Sequence, residues 1–292
     1  MKKLVTGILS LAVVAGLGLG TAVAEEAKGG EEHGGGTPHY PIHKPEQQDW
    51  SFAGPFGHYD KGQLQRGLKV YAEVCSACHS MNLVSFRTLE GLGYSEGQVK
   101  AFAANYEVQD GPNADGEMFT RKAVASDHFP SPYANKEAAA ASNNGAAPPD
   151  FSLIAKARGI ERGFPQFIFD MFWPYQEGGP DYIHALLTGY QEPPQGVEVA
   201  EGTHYNPYFA NAAALAMAQP ISNDQVTYDD GTPQTVDQYA KDVSAFLMWA
   251  AEPHMEQRKR IGLQVIVFLL VFAGLLYFTK QKVWHDVKEG RI

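Results

Sequence analysis

The chain has 292 residues, 44% of them hydrophobic and 19% charged, with a formal net charge of −10. That acidity argues against a nucleic-acid partner, because phosphate contacts need a surplus of Lys and Arg. It favours fast association with a basic partner, a rate effect that salt weakens. Strand-like alternation is scarce and no internal repeat is visible, and the length suits one large domain or two small ones.

The first 24 residues read as a secretory signal. Lys2-Lys3 are its charged start, Leu4 to Leu19 its apolar stretch, and Ala22-Val23-Ala24 an A-x-A cleavage site. Cleavage there removes two lysines and no acid, so the mature chain from Glu25 carries −12. Residues 25–48 are rich in Gly, Glu, His and Pro and read as a flexible arm. The histidines His33, His39 and His43 fit solvated polar residues better than a metal site. A soluble domain is expected over residues 49–257.

Leu64, Leu68, Tyr71, Ala72 and Cys75 recur at helical spacing, which predicts a helix over Gln63–Cys75 with Cys75 on its apolar face. It leads into Cys75-Ser76-Ala77-Cys78-His79, a C-x-x-C-H run containing the only two cysteines of the chain. This is the attachment signature of a c-type haem, in which each thiol adds to a porphyrin vinyl group and the histidine lies under the iron. Other meanings fit less well. A closed zinc site needs four ligands, and there is no second Cys pair. A thioredoxin-like dithiol leaves His79 without a role and lacks a βαβ context. A disulfide would close a very small loop and gain little. The export signal sharpens the point, since an oxidising compartment would pair the two thiols unless haem captured them first.

Further along, Ser95-x-x-Gln98 is a capping box opening a helix to about Tyr106. Residues 107–134 read as loop, from Gly111-Pro112, Asn113, Asp115-Gly116, Pro130 and Pro132. Lys136–Ser142 reads as a short helix stopped by Asn143-Asn144-Gly145, with Pro148-Pro149-Asp150 extended after it. Gly159 to Gly179 is dense in aromatics and reads as packing over a long loop. Pro180–Leu187 reads as a helix ended by Gly189, and residues 190–234 as irregular. Thr235-x-x-Gln238 starts the last soluble helix, whose apolar stripe runs from Val236 to Ala250.

Ile261 to Thr279 carries no charge over 19 residues. At 1.5 Å per residue it spans roughly 28 Å, close to the bilayer core. A membrane anchor is expected over 258–282, with a short tail over 283–292. Basic residues flank both ends, so the positive-inside rule leans only weakly; the export signal puts residues 25–257 outside and the tail inside.

The iron would need a second axial ligand. Met81 is too near His79 to reach the opposite face, Met248 and Met255 lie near the membrane span, Met171 sits among the aromatics and Met118 in a polar loop. Met217 has an apolar surround and Pro220 nearby, which suits a thioether over a haem; a Met is equally at home as core filler. His128, His184 and His204 are the alternatives.

The chain resembles the cytochrome c1 family, the haem subunit of the quinol–cytochrome c oxidoreductase or bc1 complex, of the alphaproteobacterial kind. The resemblance rests on Gly54-Pro55-Phe56-Gly57, on Gln65-Arg66-Gly67-Leu68 through His79, and on Asn143-Asn144-Gly145-Ala146-Ala147-Pro148-Pro149-Asp150. Leu187-Thr188-Gly189-Tyr190, Asn206-Pro207-Tyr208-Phe209 and the run from Asp242 to Pro253 extend it to most of the mature chain. It implies a mostly α, cytochrome c-like haem domain with extended loops and one C-terminal transmembrane helix. It also implies one covalent haem c, with Met217 as the axial methionine opposite His79. Arg158 matches an arginine that faces a haem propionate, and Tyr182 is implied in the same pocket. A six-coordinate iron leaves no open position, so no catalytic residue is expected.

The implied partners are cytochrome b, the Rieske iron–sulfur protein as donor and a c-type cytochrome as acceptor, in a dimeric complex of the bacterial inner membrane with the haem domain in the periplasm. Gly159–Gly179 departs from the mitochondrial pattern. Some bacterial relatives have an extra disulfide nearby, for which this chain lacks cysteines. A membrane-tethered mono-haem cytochrome serving a terminal oxidase is the nearest alternative, and a tethered thiol oxidoreductase the alternative from another class.

Overall fold

The computed structural model describes residues 43–159 and 177–291; the signal segment, most of the arm and the aromatic stretch 160–176 lie outside the described residues. Helix α1 (Lys61–Glu73) starts where Asp60 accepts a hydrogen bond from the Gln63 backbone N–H, and buries Leu64, Gly67, Leu68, Val70 and Tyr71. It stops two residues before the expected end. A 3₁₀ turn over Cys75–Ala77 takes over, with the N–H groups of Cys78 and His79 both donating to the Cys75 carbonyl.

A second 3₁₀ segment, Phe86–Leu92, precedes α2 (Glu96–Ala103), which has the full capping box of Ser95 and Gln98 and ends short of Tyr106. The stretch read as loop holds a hairpin instead. Strands β1 (Glu107–Asp110) and β2 (Phe119–Lys122) pair antiparallel with Glu107 opposite Lys122. Neither strand buries a residue, so no apolar alternation marks them. Ion pairs hold the hairpin: Lys122 to Glu107 at 3.1 Å, and Arg121 to both Asp110 and Asp127.

Helix α3 (Lys136–Ser142) has the expected bounds, capped by Asn135 and stopped by Asn144 and Gly145 at positive φ. Helices α4 (Ile154–Ala157) and α5 (Gly178–Thr188) follow, and a two-residue pair, β3 (His204–Tyr205) with β4 (Ala214–Leu215), lies within the irregular stretch.

Helix α6 (Val236–Ala251), capped by Thr235, is the centre of the domain; α1, α4 and α5 all pack on it. From Tyr239 to Ala250 only Lys241 escapes burial, so the helix is covered nearly all round rather than along one stripe. Its crossing with α1 is close: a Cβ on Gly67 would stand 2.1 Å from the Asp242 carbonyl oxygen and 2.6 Å from Phe246 Cβ. Beside this contact the fully buried Asp242 carboxylate receives the Arg66 guanidinium at 2.9 Å.

Helix α7 (Met255–Val283) extends beyond the apolar run at both ends, and is the one helix among the described residues long and apolar enough to cross a membrane. Its large apolar side chains from Ile261 to Phe278 are exposed, as a bilayer-facing helix requires. Where α6 gives way to α7, Glu252 bonds Lys156 at 2.5 Å and also Arg258. Burial raises the affinity of its carboxyl for a proton, but the bonds from Arg258 and Lys156 outweigh it and hold the group below the usual glutamate value.

Two outcomes follow from these contacts. Gly67→Ala should force α1 off α6 and cost about 1–3 kcal/mol, lowering the melting temperature by about 2–4 °C per kcal/mol in a domain of this size. Glu252 has a depressed folded pKa, so its contribution is complete above the ordinary glutamate range and is lost as pH falls through the folded value. Thermal melts of Glu252→Gln should therefore converge with the unsubstituted protein at acid pH and fall below it at neutral pH.

Candidate haem site

The end of α1 delivers the two thiols. Both cysteines are unpaired; Cys75 is half-buried and packs against the core, while Cys78 is exposed. Burial, with the neighbouring Cys78, pushes the Cys75 thiol up to about 12, so it is held as a thiol rather than a thiolate.

The His79 ring is fixed on several sides. Its Nδ1 lies 2.8 Å from the Pro149 carbonyl oxygen, which makes Nδ1 the protonated nitrogen, and its ring stacks on Phe151 with centroids 3.9 Å apart. The Tyr71 hydroxyl donates to the His79 carbonyl at 3.1 Å. Burial lowers the affinity of the ring for a second proton, against weaker opposing effects of the Pro149 bond and the Asp150 charge. The ring is thus neutral at neutral pH, with Nε2 unbonded among the described residues. A neutral imidazole with its other nitrogen pinned to a carbonyl is the form that ligates a metal.

The segment supplying Pro149 is itself clamped. The Asp150 carboxylate accepts from Ser80 Oγ at 2.8 Å and from the N–H groups of Asn82 and Ser152 at 2.9 and 2.8 Å. Phe151 N–H donates to the Ser80 carbonyl at 2.8 Å, and Leu83 N–H to Ser152 Oγ at 3.0 Å. Desolvation opposes ionisation of Asp150, but these donors prevail and keep its pKa below the usual carboxylate value.

Met217 lies just after β4, half-buried and packed against the same core as Cys75. Its carbonyl accepts from the Tyr190 hydroxyl at 3.1 Å. The buried Asn206 braces this region, donating to the Leu186 carbonyl at 2.8 Å and accepting from Tyr208 N–H at 3.0 Å. Tyr182 is buried on α5 and its hydroxyl accepts from Ala210 N–H. Burial raises the Tyr182 pKa, against the opposing effects of the Ala210 N–H bond and, more weakly, of the Arg158 charge. The Arg158 side chain is exposed and, among the described residues, contacts the Ala157 carbonyl at 3.5 Å.

Four of the rival ligands are otherwise engaged, and His128 and His204 are exposed. Met81, Met248 and Met255 are sealed in the core, and Met118 is 59% exposed near the hairpin. His184 Nε2 bonds Asp237 at 3.0 Å. Met171 lies outside the described residues. No group of three or more His, Cys, Asp and Glu is arranged to hold a metal ion among the described residues. Unpaired thiols at this spacing beside a neutral, oriented histidine fit a covalently bound haem.

The cytochrome c1 family model matches residues 50–287. The chain belongs to the cytochrome c1 family. It is 59% identical over 247 residues, 83% of its length, to "Cytochrome b/c1" of Bradyrhizobium diazoefficiens, of which it spans 36%. It is 46% identical over 287 residues to "Cytochrome c1" of Blastochloris viridis, covering 97% of both chains. It is 44% identical over 290 residues to "Cytochrome c1 1, heme protein, mitochondrial" of Arabidopsis thaliana, covering 99% of this chain and 81% of that one. Membership brings a covalently bound haem c and an electron-transfer role in an oxidoreductase, the quinol–cytochrome c reductase.

The residues that sequence reasoning passed over are Phe151, Ser80 and Tyr190, together with the bracing role of Asn206. Pro149-Asp150, Tyr190 and Asn206 stood within the stretches that carried the family resemblance, but without assigned contacts. Asp150→Ala removes three hydrogen bonds to a charged acceptor, each worth about 1.5–3 kcal/mol where fully formed. The variant should be less stable by at least the lower figure and load haem less completely, read as the ratio of haem absorbance to protein after purification.

Proposed function

We propose that the chain carries one haem c attached through Cys75 and Cys78, with His79 and Met217 as the axial ligands of its iron. The haem supplies a one-electron couple, through which electrons pass from a Rieske iron–sulfur protein to a c-type cytochrome. The observation that carries this reading is the neutral His79 ring, pinned through Nδ1 to the Pro149 carbonyl beside two unpaired thiols.

The roles of this chain's residues follow from their contacts. His79 and Met217 define the coordination and leave no position open, so the chain makes and breaks no substrate bonds. The Pro149 carbonyl orients the histidine and raises its basicity as a ligand. Tyr190 holds the backbone at Met217 and so sets where the thioether sits. Arg158 supplies a positive charge suited to a propionate, with Tyr182 assigned to the same pocket, and this charge would steady the reduced and oxidised forms unequally and so tune the potential.

The chain works as a subunit. Cytochrome b is the expected membrane partner: the Bradyrhizobium relative has both b and c1 in its name and is far longer than this chain. In this assignment the complex is dimeric, α7 is a single-pass anchor in a bacterial inner membrane, the haem domain is periplasmic and the tail after the span is cytoplasmic. The signal segment read from residues 1–24 supports that orientation.

Co-purification of the chain with cytochrome b and the Rieske protein, and haem bands that survive acid–acetone extraction, test the assignment together. Loss of the bands on extraction would overturn the covalent haem, and purification without those partners would overturn the complex. Met217→Leu should leave haem attached and lower the midpoint potential by a sizeable part of the roughly 0.8 V that axial ligation spans. An unchanged midpoint in a redox titration would remove Met217 from the iron.

A further inference from the structure

A cavity of about 420 Å³ lies where the soluble domain meets the anchor, away from the cysteines. Its wall joins Lys61 at the start of α1, Trp249 near the end of α6, and His254, Glu256 and Arg260 at the start of α7. Arg260 immediately precedes the uncharged run from Ile261 to Thr279, so the cavity stands at the level of the lipid headgroups on the domain's side of the membrane.

The charges in this wall are unequally committed. Glu256 is engaged, accepting from Tyr59 N–H at 2.7 Å. Lys61 and Arg260 are exposed and have no ion pair among the described residues. Trp249 is the more telling residue. It is 3% exposed as a residue, and its indole N–H, which has no hydrogen-bond acceptor among the described residues, is still reached by solvent at the cavity wall. Such a donor is open to an acceptor that enters the cavity. Two exposed cations without ion pairs and an indole donor around one cavity suit an anionic acceptor.

The neighbouring loop fixes the level independently. Lys259 Nζ donates to the Phe52 carbonyl at 2.6 Å and to the Gly57 carbonyl at 3.5 Å, holding residues 52–57 beside the first turns of α7. Phe56 on that loop is 76% exposed, an apolar side chain presented at the height where aromatic residues enter the interface.

We propose that this cavity binds the phosphodiester headgroup of an anionic phospholipid from the leaflet on the domain's side, with Lys61 and Arg260 as counter-charges and Trp249 Nε1–H as donor. Its acyl chains would run along the exposed apolar face of α7. The site ties the height of the haem domain above the bilayer to a lipid as well as to the anchor.

The test uses the full-length protein with its haem, within its purified membrane complex in mild detergent. Retained lipid is counted by native mass spectrometry after incubation with phosphatidylglycerol or phosphatidylcholine at equal concentration. The unsubstituted protein should retain phosphatidylglycerol at least about fivefold better than phosphatidylcholine, because the charged headgroup contacts are the strong ones. Lys61→Gln combined with Arg260→Gln, both on the surface, should cut that retention at least about threefold with haem content unchanged. Trp249→Phe, which keeps an aromatic ring and loses the donor, should cut it as well. Equal retention of the two lipids, or undiminished retention in the double variant, would overturn the proposal. So would displacement of phosphatidylglycerol by inorganic phosphate, which would make this a site for the free ion. Failure to exchange any lipid would mean that a protein partner fills the cavity.

Discussion

The close crossing of α1 and α6 governs where the thiols and His79 stand. Glycine at 67 lets the two backbones approach to a distance that any Cβ would forbid. Arg66, next to it, reaches the fully buried Asp242 carboxylate, which Gln238 also contacts at 2.8 Å. Removing one partner of a buried pair costs about 3–5 kcal/mol, because the other charge is left desolvated. The pair therefore acts less as glue than as a lock on register: α1 cannot slide along α6 without stranding a charge. With α1 locked, the 3₁₀ turn at its end is placed against the core, and Cys75 and His79 with it.

The ligand geometry is then built by segments distant in sequence that have little regular structure. Pro149 and Phe151 come from an extended stretch held by Asp150 to the backbone just after His79. Met217 comes from a loop held by Tyr190 and Asn206. Both devices use hydrogen bonds from buried or half-buried side chains to backbone groups. Such bonds fix position; the neutral ones of Tyr190 and Asn206 add about 0.5–1.5 kcal/mol each, and those to the charged Asp150 carboxylate about 1.5–3 kcal/mol. Proline and polar residues supply the precision here, and the helices supply the frame.

This division explains what could be read from the sequence. Helix starts were legible at Ser95 and Thr235, where a Gln three residues on marks the cap, while the Asp60 and Asn135 caps appear only in the folded chain. The C-x-x-C-H run and the uncharged span were legible because their spacing or length is itself the signal. The β1–β2 hairpin was not, because its strands bury nothing and are held by Arg121 and Lys122 ion pairs that no periodicity reports. The short helix α4 escaped for want of length. The Pro149 contact with His79 joins residues 70 positions apart, and only folding reveals it. For Met217 the local sequence left methionine-as-filler open; the burial of Met81, Met248 and Met255 and the engagement of His184 narrow that choice in three dimensions.

The junction with the membrane helix bears on which kind of electron carrier this is. A freely tethered cytochrome needs a slack linker, so that its haem can visit a partner. Here α6 passes to α7 across only Glu252, Pro253 and His254, and every side of that joint is fastened. Glu252 reaches back to Lys156 on α4 and forward to Arg258; Tyr59 donates its N–H to Glu256; Lys259 holds the loop at Phe52; Met255 is buried in the domain core. Swinging the domain would break these bonds together and expose Met255. The domain thus has a set posture on its anchor, which suits a haem held at a fixed place in a complex while its partners come and go. These contacts weigh against a slack tether of the kind a cytochrome reaching out to a terminal oxidase would use.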